Sequence, residues 1–209
     1  NGNQFTLDNI SEVIEHLKSL FNCKPQQMII QNIEFGFNAN VNFEPQQFIK
    51  GLLYQNGKQF EYRFNNRFAQ VVHQRYFLKV YNKSEQYGMA DPTIRIELKI
   101  VKTEYIKELG IKTLADINEQ SLSKEKDLLL KRFDEVVYYD YTIQKEHLKE
   151  IQLRTLRNYS NPRFWVDELN IKSRCYHRKN LILFITRFSD NLHSQIRANL
   201  IRKFRQINQ

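Results

Sequence analysis

Tyr81 is the residue of this chain whose type and neighbours best suit chemistry on a phosphodiester. A phenol has a pKa of about 10 and is a weak nucleophile unless a base, a cation or a metal assists it. Lys79 and Lys83 lie two residues to either side, so on a strand they would share its face and favour the phenolate. Attack would leave a 5′-phosphotyrosine and a free 3′-hydroxyl, which conserves the bond energy for rejoining. The alternative is an ordinary strand residue, since the chain has 11 tyrosines.

Glu34 and Glu97 are candidate metal ligands, because each lies on the polar side of an otherwise apolar alternation. Two carboxylates that reach across a sheet could hold Mg²⁺ or Mn²⁺, which binds phosphate oxygens and neutralises transition-state charge. The alternative is a solvated face, or cross-strand ion pairs with Arg95, Lys99 or Lys79.

Other chemical motifs are missing from the sequence. The five histidines are isolated, without a His-x-His pair, which argues against the class of relaxases and rolling-circle proteins whose metal site is a histidine–hydrophobic–histidine strand. The sequence also has no Gly-x-x-x-x-Gly-Lys phosphate loop, no His-Glu-x-x-His and no Gly-x-Ser-x-Gly. Cys23 and Cys175 lie outside any metal-ligand spacing, and we expect two free, buried thiols in a reducing cytoplasm.

Three segments that alternate with period two must position these side chains. Residues 75–83 and 93–100 predict paired, half-buried strands, and residues 33–43 predict a third. In the second strand, isoleucine and leucine take one face while Arg95, Glu97 and Lys99 take the other. The connecting segment 84–92 is long for a hairpin loop and is therefore a candidate functional loop.

Helical periodicity dominates the rest of the chain. The pattern predicts a first helix over 6–21, capped by Thr6 or Asp8, and a strand near 60–64. The segment 174–188 is either a helix or a buried strand. Further helices are predicted in the segments 45–53, 103–109, 123–138, 143–158, 162–170 and 190–207. The fold class is therefore α+β: an antiparallel sheet with helices on one face, followed by a basic helical C-terminal region.

The net charge of +9 is concentrated in the last third of the chain. Residues 1–140 hold 18 basic and 18 acidic side chains, whereas residues 141–209 hold 14 basic and 5 acidic ones. This asymmetry indicates a polyanion partner, first of all nucleic acid; the alternative is a solubilising basic face. With Arg95 from the sheet, the predicted phosphate contacts are Arg154, Arg157, Arg174, Arg178, Lys179, Arg197, Arg202, Lys203 and Arg205. Nearby aromatics such as Tyr176 could stack on unpaired bases, whereas Trp165 and Phe188 are expected in the core.

The segment Val80-Tyr-Asn-Lys83, the following loop and Ile94-Arg-Ile-Glu-Leu98 resemble a signature of plasmid and phage replication initiators. These are the filamentous-phage gene II type and the Rep_trans type of rolling-circle initiators, and the likeness is closest to Bacteroidetes forms. The signature is a strand ending in Tyr-(Asp/Asn)-Lys, followed by a strand of the form Leu-Arg-(Ile/Phe)-Glu. Ile33-Glu34-Phe35-Gly36 resembles an earlier acidic strand of the same family, and Gly2-Asn3 to Thr6 resembles the end of an upstream segment.

The resemblance implies nicking and joining of one DNA strand at a replication origin, with a covalent tyrosine link and a divalent metal. It makes Tyr81 the nucleophile, with Tyr76 as a fallback, and Lys83 its electrostatic helper. It makes Glu34 and Glu97 the metal ligands, and Arg95 a phosphate contact. Asn82 stands where the family often has Asp, which would remove one ligand. Residues 1–140 would form an initiator domain that lacks the family's N-terminal strands, and residues 141–209 a basic helical region for nucleic acid.

Two other classes of function remain open at this point. One is a DNA- or RNA-binding protein that kept the fold and lost the chemistry, and the other is an interaction protein that uses the sheet face. The expected partner is DNA, either single-stranded or an origin hairpin; a helicase and a second copy of the chain are further possibilities. No membrane partner is expected, because no stretch of 18 apolar residues and no signal peptide are visible, which indicates a cytoplasmic protein.

Overall fold

The computed structural model describes residues 6–207, with side chains described as far as Phe204. The helices are α1 (Leu7–Phe21), α2 (Pro45–Ile49), α3 (Lys83–Tyr87), α4 (Thr103–Glu108), α5 (Glu119–Asp134), α6 (Glu150–Tyr159), α7 (Ile171–Phe188) and α8 (Leu192–Ile207). The strands are β1 (Ile33–Asn40), β2 (Leu52–Gln55), β3 (Lys58–Gln59), β4 (Glu61–Arg63), β5 (Phe68–Val72), β6 (Tyr76–Asn82), β7 (Thr93–Ile100) and β8 (Val137–Tyr138). The predicted α+β class is confirmed.

The main sheet is antiparallel and has the strand order β1-β7-β6-β5-β4. Its three best-patterned strands, β1, β6 and β7, lie side by side, because each offers an apolar face to one layer of helices. Leu78 and Val80 of β6 and Ile96 and Leu98 of β7 are fully buried on that face. The polar residues between them therefore all point to the other face. A smaller sheet, β3-β2-β8, completes the described strands.

The sheet and the C-terminal helices share one hydrophobic core. Trp165, Leu181 and Ile196 belong to the same cluster of buried side chains as Leu78 and Ile96. The division of the chain at residue 140 stays a prediction, and residues from both sides of it belong to this cluster. Trp165 is buried as expected, and Phe188 is half-buried against the same cluster.

Glu125 is a buried exception within that core. It lies on α5, is only 2% exposed, and its Oε1 has no hydrogen-bond partner among the described residues. It lines a largely apolar cavity of about 390 Å³ beside Ile14 of α1 and Phe37 of β1. Because desolvation penalises the charged form, burial raises the pKa of Glu125 to about 7.

Several local predictions are corrected by the structure. The 84–92 loop begins with the short helix α3, so Lys83 belongs to a helix rather than to the strand. The ambiguous segment 174–188 is helical, and a strand over 68–72 had no counterpart in the sequence pattern. The cysteines are free, but Cys23 is half-buried and Cys175 is exposed, so neither is the buried thiol that was expected.

Candidate active site

The register of the main sheet gathers the predicted site residues on its polar face. Tyr81 of β6 lies opposite Arg95 of β7, and Lys79 lies opposite Glu97. On the far side of β7, Asn38 of β1 lies opposite Arg95. Since side chains on one face of an antiparallel pair meet directly and diagonally, these residues can form one network.

The Tyr81 hydroxyl donates a hydrogen bond to Glu97 Oε1 over 2.8 Å. This is a diagonal contact, because Glu97 lies two residues along β7 from Arg95, the direct partner of Tyr81. Arg95 binds the same carboxylate oxygen through Nε, and its Nη1 donates to Asn38 Oδ1 over 3.0 Å. Glu97 is therefore the centre of the network, held by a phenol and a guanidinium.

Lys79 connects the two carboxylates that were predicted as metal ligands. Its Nζ lies 2.8 Å from Glu34 Oε2 and 3.7 Å from Glu97 Oε2. The Lys79 and Arg95 side chains are each only 18% exposed and that of Glu97 is 8% exposed, so these contacts differ from loose surface pairs. The ion pairs that were the structural alternative for Glu34 and Glu97 are thus present, and they bring both carboxylates to one cation.

The donor set can be compared with what Mg²⁺ or Mn²⁺ requires. Carboxylate oxygens are the ligands these ions prefer, and Mg²⁺ is often held by one or two carboxylates together with substrate phosphates. Glu34 and Glu97 both reach one cation, the ammonium of Lys79. The two carboxylates are therefore suitable ligands for Mg²⁺ or Mn²⁺, provided that the metal replaces this ammonium. Among the side chains described, no group of three or more His, Cys, Asp or Glu residues is arranged to hold a metal.

Gly36 leaves the space in which the Glu97 side chain lies. It is opposite Glu97 in the β1–β7 register. A Cβ at this position would be 2.5 Å from Glu97 Cγ and 2.7 Å from the carbonyl oxygen of Ile96. Because neither distance is tolerable, a larger residue at 36 would push the carboxylate or the strand away.

The protonation states differ from the expectation that lysines would favour the phenolate. Burial first, and then the hydrogen bond and negative charge of Glu97, raise the pKa of Tyr81 well above its usual value. Burial alone would raise the pKa of Glu97, but hydrogen bonds from Arg95 and Tyr81 outweigh it and lower that pKa overall. The resting site is thus a neutral phenol beside an ionised carboxylate.

Lys83 makes its closest ring contact with Tyr87. Its Nζ is 3.6 Å from the centroid of the Tyr87 ring and 5.8 Å from that of Tyr81. Tyr76, the fallback nucleophile, is buried on the opposite face of β6, where its hydroxyl lies 3.3 Å from Gln55 Oε1. Of these two tyrosines, Tyr81 alone lies on the polar face.

An open cleft of about 560 Å³ lies over Tyr81. Lys79, Glu97 and Arg67 contribute polar walls, and Phe64 and Phe68 contribute an aromatic wall. A cleft of this size is within the range of small-molecule and nucleotide sites. The Tyr81 side chain is therefore accessible from solvent through this cleft.

The predicted phosphate contacts of the C-terminal region fall into two groups. Exposed on their helices are Arg154, Arg157, Lys179 and Arg202, with Lys203 half-buried. Arg174 instead donates to the carbonyl oxygens of Trp165 and Leu169, and Arg178 to that of Asp134. Arg197 forms a two-bond ion pair with the Asp134 carboxylate. The side chain of Arg205 and the upstream segment Gly2-Asn3 lie outside the described residues.

Three neighbours of the site were missed in the sequence. Gly36 and Asn38 show their roles only through the β1–β7 register, which the sequence does not give. Phe68 lies in β5, and its ring stacks on that of Tyr81 at 5.9 Å between centroids and 26° between planes. The Asn65-Asn66 pair could have indicated a turn at the end of a hairpin and thus located Phe68 on a strand.

Comparison of the chain with models of protein families, with curated proteins and with solved structures gives no match. The site therefore has to be interpreted from its own geometry. In the part of the chain that the structure describes, no helix has the length and apolar character needed to cross a membrane.

Proposed function

We propose that this protein initiates replication by nicking and rejoining single-stranded DNA at an origin, with Tyr81 as the nucleophile. The observation that carries the proposal is the 2.8 Å hydrogen bond from the Tyr81 hydroxyl to Glu97 at the bottom of an open cleft. Covalent phosphoryl transfer needs a nucleophile in contact with a base and cations near the phosphate, and the walls of this cleft include Lys79 and Arg67 as well as Glu85 and Glu97. The cytoplasm is part of the same proposal, since the substrate is intracellular DNA.

Glu97 would act as the general base for Tyr81. As the phenol oxygen bonds to phosphorus, its proton passes to the Glu97 carboxylate, which the hydrogen bond already aligns. The bond from phosphorus to the 3′ oxygen breaks, and this oxygen takes up a proton from water. The product is a 5′-phosphotyrosine and a free 3′ end, and the reverse reaction rejoins the strand.

Positive charge for the phosphate would come from Lys79 and Arg67, which line the cleft, and from Arg95 beside Glu97. A bound Mg²⁺ or Mn²⁺ would neutralise further charge on the phosphate oxygens, and Glu34 and Glu97 are the side chains that would hold it. Lys79 would then have to leave the two carboxylates and would be free to bind the phosphate.

A non-catalytic nucleic-acid-binding protein is the second candidate. The satisfied ion pairs of Lys79 with Glu34 and of Arg95 with Glu97, together with the raised pKa of Tyr81, favour it. Such a protein would bind nucleic acid with strong salt dependence but would neither cleave it nor need a metal. The third candidate, a protein-docking surface, is less favoured because the polar side chains surround a cleft instead of a flat apolar patch.

The test is covalent trapping on DNA. The protein is incubated with Mn²⁺ and a 3′-labelled pool of random-sequence single-stranded DNA, and is then run on a denaturing gel. The wild-type chain should form a labelled protein band, whereas Tyr81→Phe should form none and still bind the DNA. Glu97 keeps its bond to Arg95 in this variant, so we expect the fold to survive.

Tyr87→Phe is the matched control, because Tyr87 is 64% exposed and lies on the neighbouring helix α3. Its labelled band should match that of the wild type. A labelled band that persists in Tyr81→Phe would show that another residue is the nucleophile. Absence of a band in the wild type, with DNA binding intact, would favour the non-catalytic candidate.

A further inference from the structure

The turn between β4 and β5 exposes an aromatic residue next to the cleft. Phe64 is 74% exposed, although exposure of a phenylalanine side chain to water is energetically unfavourable. It lines the cleft together with Phe68 and Tyr81. Its ring meets that of Phe68 edge to face at 6.4 Å, and Phe68 stacks on Tyr81 at 5.9 Å. The three rings therefore form a continuous aromatic row, which we call the aromatic shelf.

The backbone of this turn is unfavourable for the residue that it carries. Phe64, Asn65 and Asn66 have φ values of 53°, 52° and 63°, in the left-handed region. Asparagine tolerates this region, but for a bulky aromatic residue it is a rare and strained conformation. Local strain of this kind is concentrated at functional sites. The exposed ring and the strained backbone therefore both indicate a functional role for Phe64.

Cations surround the aromatic shelf. Arg67 lines the cleft next to Phe64, and its guanidinium is paired with Glu85 at 2.8 Å. Arg63 lies over the Phe68 ring at 6.0 Å, and Lys79 is at the bottom of the cleft. Flat rings beside positive charges suit a ligand that has a planar base next to a phosphate.

We infer that the aromatic shelf, through Phe64, stacks an unpaired nucleobase of single-stranded DNA whose adjoining phosphate lies over Tyr81. The inference rests on the proposed function and adds what the substrate must offer: a base outside any duplex next to the reactive phosphate. A base within a double helix has no free face for Phe64, so duplex DNA binds this cleft poorly. The recognition is tolerant of sequence, since every base has a stacking face.

The test measures non-covalent binding in the Tyr81→Phe background without metal, so it does not depend on nicking. Fluorescence anisotropy gives the affinity for a labelled 12-nucleotide single strand of mixed sequence and for the same strand with abasic sites throughout. Phe64→Ala should weaken binding to the normal strand roughly 5- to 100-fold, as expected for the loss of one stacked base. The abasic strand should bind the parent protein and the Phe64→Ala variant equally and weakly.

Two further variants separate stacking from an effect on the fold. Phe64→Trp should retain binding, because it keeps a stacking surface. Phe64→Asn should raise the melting temperature, because asparagine suits the left-handed turn, while it weakens binding as much as alanine does. A purely structural role for Phe64 would make stability and binding fall together.

Phe21→Ala is the matched control, since Phe21 is 65% exposed on α1 and does not line the cleft. It should bind both strands as the parent does. Equal binding by the Phe64→Ala and parent proteins, equally tight binding of the abasic strand, or no binding of single strands at all would overturn the inference. A failed covalent-trapping assay would leave it standing, so the two proposals can fail separately.

Discussion

At Tyr81 the decisive feature is which group receives the phenol proton. The hydroxyl donates to Glu97, whose own pKa is lowered by Arg95 and Tyr81 against the effect of burial. The raised pKa of Tyr81 means that a preformed phenolate is rare at neutral pH. For the proposed reaction, proton transfer during attack is therefore the expected route.

This route predicts a specific dependence on pH. Because Glu97 is ionised at all pH values above its lowered pKa, the single-turnover rate of covalent adduct formation should be nearly constant across neutral and mildly alkaline pH. Glu97→Gln should slow the reaction by roughly 10²- to 10⁴-fold, which is the usual contribution of a general base. The rate is measured by quenched time courses on denaturing gels. A rate that rises in proportion to hydroxide concentration would show instead that Tyr81 ionises before it attacks.

At the scale of elements, the hairpin of β6 and β7 positions the site, and the short helix α3 closes one side of the cleft. Asn82 caps this helix, since its Oδ1 accepts from the Glu85 backbone N–H at 3.1 Å and from Ser84 Oγ at 2.7 Å. Ser84 Oγ in turn accepts from the Thr93 N–H at the start of β7. Asn82 thus has a structural role, and an aspartate there could perform the same one.

Asn82 substitutions test this role. Asn82→Ala should lower the free energy of unfolding by about 1 kcal/mol, because it removes the cap and leaves Ser84 without its acceptor. Asn82→Asp should change it little, since a carboxylate caps a helix N-terminus as well as an amide does. Urea denaturation followed by circular dichroism measures both. A similar loss in the two variants would mean that the amide nitrogen, not the cap, matters at this position.

The same elements show which features of the site the sequence predicts and which it does not. Period-two alternation in β1, β6 and β7 was sufficient to assign Tyr81, Lys79, Glu97 and Glu34 to one polar face. It could not give the diagonal contact between Tyr81 and Glu97, which depends on register and rotamer. The strand β5 was not predicted because both of its faces are largely apolar. The helix α7 was ambiguous because apolar residues occur on every side of it.

At the scale of the whole molecule, one core joins the sheet to the C-terminal helices. Part of the predicted basic surface has a structural role, since Arg174 binds carbonyls within the C-terminal region and Arg178 binds the Asp134 carbonyl of α5. Net charge alone could not distinguish these from the exposed Arg154 and Lys179.

The buried Glu125 makes the stability of the folded chain depend on pH. The pKa of Glu125 is about 7 in the folded state against an ordinary value of 4.5, so the folded chain holds its proton more tightly. Its contribution to stability is complete below pH 4.5 and is lost as the pH rises to about 7, by about 3 kcal/mol at most. Glu125→Gln should therefore be more stable than the wild type at mildly alkaline pH, with the advantage shrinking as the solution is acidified.

Thermal unfolding of both forms from about pH 4 to about pH 8 measures this difference, and the other titrating groups cancel in the comparison. Glu12→Gln removes an equal charge from an exposed position on α1 and is the control. A stability difference between Glu125→Gln and the wild type that does not change with pH would show that Glu125 finds a cation or donor in solution.

Lys79 gives the polar face a built-in counter-ion. Its ammonium balances Glu34 and Glu97 within the chain itself, so these strands can pair without any imported cation. A cation that binds Glu34 and Glu97 must displace the Lys79 ammonium, whose effective local concentration is high because it belongs to the same chain. On the proposed function, a divalent ion would take the place of the Lys79 ammonium between Glu34 and Glu97, and the displaced ammonium would bind the phosphate diester. We therefore expect the metal ion and the phosphate diester to bind cooperatively.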